Sequence, residues 1–130
     1  MLNLEQAIQI FGIIQFIVIG LSHIFAPKVW AEFFIMLRNK GHAGVFVVGF
    51  ISLTFGAIVV SFHNIWSGIP VVLTVVGWGQ LIKAFIYFTF PQFGMKSLAR
   101  VSVERAHRLF VWPGIVFLLL AAMLLYHIAA

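Results

Sequence analysis

The chain has 130 residues, of which 63% are hydrophobic and 8% charged, and its formal net charge is +5. So little polar surface excludes a water-facing globular body, and the length leaves room for a single integral domain. The absence of cysteine excludes disulfides, thiol redox chemistry and thiolate metal sites.

Four apolar runs lie at about residues 4–26, 44–62, 71–90 and 108–128. Each is near the ~20 residues that cross a ~30 Å hydrocarbon core as a helix. Backbone groups in that core must pair within their own segment, and no run shows the period-two alternation of a membrane β-barrel. The predicted fold is therefore all-α, a four-helix transmembrane bundle with a short interfacial amphipathic helix after the first span.

The residues ahead of the first run carry Glu5 and no Lys or Arg. A cleaved signal would need a positive leader, so the run is expected to be a retained span. Glu5, Gln9, Gly12, Phe16, Ile19 and His23 fall in a narrow arc at about 100° per residue, with Gly20 beside it. That stripe predicts a face turned toward other helices. Ala26-Pro27 ends the span, because proline disfavours α geometry in the residue before it. Residues 28–40 then read as the amphipathic helix, with Val29, Trp30, Phe33, Phe34 and Leu37 on one face and Lys28, Glu32 and Arg38 toward the other.

Gly49, Ser52 and Gly56 mark a close-packing face on the second span. A short turn at residues 63–70 leads to the third span, with Trp66 suited to an interface and Pro70 to a helix start. The third span is the least lipid-like, since Gln80, Lys83 and Tyr87 share a face, and Pro91 stops it. Residues 91–107 read as a basic, mildly amphipathic loop. The fourth span is the most uniformly apolar, with Trp112-Pro113 near its start.

The charges orient the bundle. Lys28, Arg38 and Lys40 lie in the first loop, and Lys96, Arg100, Arg105 and Arg108 in or beside the third. The excess of Lys and Arg in these short loops predicts that both are cytoplasmic, which places both termini and the 63–70 turn outside. This placement favours anionic lipid over nucleic acid as the partner of Lys96, Arg100, Arg105 and Arg108, although such a cluster commonly only fixes topology.

Candidate chemistry is sparse. A mid-membrane Lys costs roughly 2.5–3.5 kcal/mol on insertion scales, which makes Lys83 the sharpest anomaly. Its stem is expected to snorkel toward the inner interface, and a ligand contact is the alternative. His23 and His107 belong near the inner side, and His63 and His127 near the outer side. Two such pairs are what a two-haem cytochrome would need. These four of the five histidines, however, sit toward span ends, where imidazole is comfortable without a cofactor, so no cofactor or metal is expected. Glu5, Glu32 and Glu104 are too scattered for acid–base work, and no catalytic set is present.

The stretch Gly20-Leu-Ser-His23-Ile-Phe-Ala-Pro27, followed by Trp30, resembles the end of the first span in DoxX-like membrane proteins. His63-Asn64-x-Trp66, then Thr74-x-x-Gly77-Trp78 and Lys83, is similar to a pattern found in small four-span bacterial membrane proteins. These resemblances imply a bacterial inner-membrane location. The positions of interest are His63, Asn64, Trp66, Trp78 and Lys83, with Gln80 added from its shared face with Lys83. The expected role is a non-enzymatic accessory subunit or homo-oligomer. An oligomeric transporter or channel and a haem- or quinone-binding redox protein are the alternatives.

Overall fold

A computed structural model describes residues 1–130. Its helices are α1 (Leu4–Phe25), α2 (Pro27–Asn39), α3 (His42–Phe62), α4 (Val71–Thr89), α5 (Pro91–Ala99) and α6 (Trp112–Ala129), the last entered through a π-helical turn at His107–Val111. Four of these segments, α1, α3, α4 and His107–Ala129, are long and apolar enough to cross a membrane. The chain is a polytopic membrane protein.

Helix α1 starts with a reciprocal cap. Asn3 Oδ1 accepts from the Gln6 amide at 2.8 Å, and Gln6 Oε1 accepts from the Asn3 amide at 3.1 Å, so two orphan donors are satisfied. Two corners then repeat one device. Ala26 and Phe90 leave helical geometry at φ −130° and −129°, and Pro27 and Pro91 begin the next helix without an amide to satisfy. The second corner corrects the expectation of a loop at residues 91–107. Pro91 both stops α4 and starts α5, an element that the basic composition concealed.

The spans pack as two antiparallel pairs, α1 with α6 and α3 with α4. Lipid tails are as apolar as leucine, so pairing rests on van der Waals fit, which needs close backbones. Each pair crosses at glycines. A Cβ on Gly114 would meet the Gly20 carbonyl oxygen at 2.8 Å, and one on Gly56 would meet the Leu81 nitrogen at 2.6 Å and the Gly77 oxygen at 2.9 Å. The small-residue face of the second span is therefore an intramolecular seam.

The pairs join through a core of Ile8, Ile13 and Phe16 from α1, Val59 from α3, Leu73 from α4, and Ala121 and Leu124 from α6. At the opposite, basic end, α2 and α5 fill the gap. Leu37 and Leu98 pack with Val45, Val48 and Tyr87, while Ala31 packs with Ala106 and Phe110. Helix α2 is thus built into the bundle. Its inward stripe runs through Ala31 and Leu37, with Trp30, Phe33 and Phe34 half-buried, and Val29 from the expected apolar face is exposed. Tertiary packing, rather than the greatest side-chain hydrophobicity, sets its rotation.

The π turn precedes Pro113, which has no amide to continue the α ladder and whose ring would crowd the preceding turn. The wider turn accommodates both constraints. Phe110 within it stacks on Phe34, with ring centroids 5.7 Å apart and planes 6° apart.

Candidate functional site

The end of the bundle carrying the 63–70 turn holds a buried polar chain. His63 and Thr74 are 1% and 0% exposed, and Gln9 is 2% exposed. Thr74 sits one turn inside α4, and the turn folds back so that His63 and Ile65 meet it. The Thr74 hydroxyl donates to the Ile65 carbonyl at 2.9 Å and accepts from the Ile65 amide at 3.2 Å. Its one proton is thereby used, so at the 2.9 Å contact with His63 Nδ1 the imidazole must donate. His63 Nε2 is then the acceptor, and Gln9 Nε2 donates to it at 3.1 Å. One tautomer satisfies both contacts of the imidazole.

Burial holds the His63 pKa below the ordinary imidazole value, while its own backbone and the Glu5 carboxylate pull weakly the other way. A neutral ring agrees with the tautomer, because a second ring proton would face the Gln9 donor. The remaining polar atom, Gln9 Oε1, is buried with no partner. Beside this chain, Trp78 Nε1 donates to Asn64 Oδ1 at 2.9 Å, and Asn64 Nδ2 donates to the Val60 carbonyl at 2.5 Å. The indole and amide tie the outer face of α4 to the C-terminal end of α3.

Four of the positions singled out from the sequence, His63, Asn64, Thr74 and Trp78, thus converge in the turn and α4, and Gln9 joins them from the stripe of α1. Trp66 stays 62% exposed at the tip, and Gln80 is half-buried on α4. Lys83 belongs to the other end. With Arg100 and Ser97 it lines a cavity of about 250 Å³, and its ammonium lies 5.4 Å from the Tyr87 ring centroid. The stem has run toward the basic end, as snorkelling requires. Lys83 and the Gln9–His63 pair therefore share no cavity within one copy.

The other three candidate histidines separate too. His23 Nδ1 donates to the Ile19 carbonyl at 2.9 Å, and its ring sits among Trp30, Phe110 and Phe117. Trp30 is held there by its Nε1–H donating to Ser22 Oγ at 2.8 Å. His107 and His127 are exposed. Both nitrogens of His63 are occupied, so axial ligation would require breaking the Thr74 or Gln9 contact.

One residue escaped the sequence reading. Gln15 lies at the midpoint of α1 and is exposed, as are Ile14 and Val18. It lies off the polar stripe, so only the observed rotation of α1 shows which way it faces. Gly79 on α4 is likewise exposed, and a Cβ there would meet nothing within 4 Å. No known protein family, curated protein or solved structure matches this chain.

Proposed function

We propose that this protein is a non-enzymatic accessory or structural subunit of the bacterial inner membrane, seated against another membrane protein or a second copy of itself. Gln15 carries this reading. Its position in α1 is about 15 Å of helical rise from either end, beyond the reach of a glutamine side chain. An amide facing hydrocarbon lacks hydrogen-bond partners, whereas one facing a second helix contributes about 0.6–2 kcal/mol to association. Gly79 supplies an open position where another backbone can approach closely. Inside the bundle, the polar side chains of His63 and Thr74 are committed to each other and to Gln9, which supports a structural role for them.

In this reading the basic end, carrying Lys28, Arg38, Lys40, Lys96, Arg100, Arg105 and Arg108, is cytoplasmic, following the positive-inside rule. Purification from native membranes in mild detergent is expected to recover the protein in a larger assembly. Gln15→Leu is expected to weaken that assembly by about tenfold while leaving the single chain folded. A wild-type protein that is monomeric and partner-free in native membranes would defeat the reading, as would a Gln15→Leu variant that assembles normally.

A further inference from the structure

We infer that the cavity between α2, α4, α5 and the π turn binds an anionic amphiphile, a phosphate-type headgroup whose chain continues into the surrounding bilayer. Two cations reach this cavity from consecutive helices, Lys83 from within α4 and Arg100 from the C-terminal end of α5. None of its lining residues is acidic. Arg38 does not compete, because its guanidinium donates to the Leu98 carbonyl at 3.4 Å and the Val101 carbonyl at 2.9 Å. Those bonds engage carbonyls at the end of α5 and fix the backbone on either side of Arg100.

The rest of the lining suits the two parts of such a ligand. Ser97 and Arg100 are exposed, so the cavity opens where a headgroup layer would lie, and Ser97 adds a hydroxyl donor. Phe34 and Phe110, stacked on each other, form an apolar wall with Tyr87. A volume of about 250 Å³ lies below the roughly 300–1,000 Å³ of pockets that enclose a whole drug-sized ligand. It takes a headgroup and leaves the chain outside. Guanidinium and ammonium groups together form charge-assisted hydrogen bonds to an oxyanion, the strong class. Lys96, Arg105 and Arg108 lie outside the cavity and are exposed, so their contribution is the diffuse attraction of any basic surface. The site is independent of the subunit role proposed above.

The test uses the full chain in a neutral detergent and measures binding and the thermal midpoint with dioctanoyl-phosphatidylglycerol, dioctanoyl-phosphatidylcholine and inorganic phosphate. Phosphatidylglycerol is expected to raise the midpoint, phosphatidylcholine to leave it unchanged, and phosphate to bind far more weakly. Lys83→Met and Arg100→Gln should each weaken phosphatidylglycerol binding about tenfold. Lys96→Gln and Arg105→Gln should change it less than about twofold. Equal stabilisation by phosphatidylcholine overturns the anion requirement, and equal affinity for inorganic phosphate overturns the amphiphile. Equal losses from the surface variants reduce the site to general basic charge. Should Lys83→Met fold poorly, Arg100→Gln at its exposed position decides the matter alone.

Discussion

Thr74 engages three groups through one oxygen, and that economy fixes the protonation of its neighbours. Removing the hydroxyl while keeping the shape, as in Thr74→Val, strands His63 Nδ1–H and removes the side-chain partner of both polar backbone groups of Ile65. A buried group left unpaired costs about 1–3 kcal/mol, so this variant should lose stability of that order. Denaturation in detergent measures it, and a loss near zero would show that the network is not buried as described. The sequence offered all the participants: His63, Asn64, Thr74 and Trp78 in one pattern, and Gln9 in the stripe of α1. It did not offer their pairing. Trp66 and Lys83 belong to the same linear pattern, yet they end at the exposed tip and the opposite end. Spacing along a chain fixes depth in a membrane, whereas contacts depend on rotation about each helix axis.

The helices were legible from hydropathy and proline position because both act locally. The span ends fall within one or two residues of the apolar boundaries, and Pro27 and Pro91 start helices where their rings fit. Helix α5 was hidden because nine residues of mixed composition give little periodic signal, and its stability comes from Leu98 packing against α2, α3 and α4. Between helices, glycine at the crossings is the decisive element. Gly56→Ala would place a methyl group against backbone atoms of Leu81 and Gly77, which no rotamer change relieves. The α3–α4 pair must separate, at a cost of about 1–3 kcal/mol. Gly79→Ala, two residues from Gly77 on α4 and facing open space, should leave the stability of the isolated chain unchanged. Thermal unfolding of the two variants side by side checks the difference, and equal midpoints would refute the seam.

At the scale of the whole molecule, the basic segments gather at one end and the uncharged turn lies at the other. The chain has no native cysteine, so single cysteines report orientation without background. Ser67 in the turn and Asn39 at the end of α2 are both exposed. A membrane-impermeant thiol reagent applied to intact cells is expected to label Ser67→Cys and to label Asn39→Cys only after permeabilisation. The reverse pattern would invert the proposed topology.

The sequence by itself determined that the chain crosses a membrane with four helices, where each ends, and which loops carry the positive charge, because hydrocarbon thickness, proline geometry and net charge act on one segment at a time. Only the tertiary structure decided that the spans pair as α1–α6 and α3–α4, that α2 and α5 close the basic end, and that Gln15 faces outward while Lys83 and Arg100 line one cavity. Those outcomes depend on how closely two backbones can approach and on how far each helix rotates to meet its neighbours, quantities that no single segment contains.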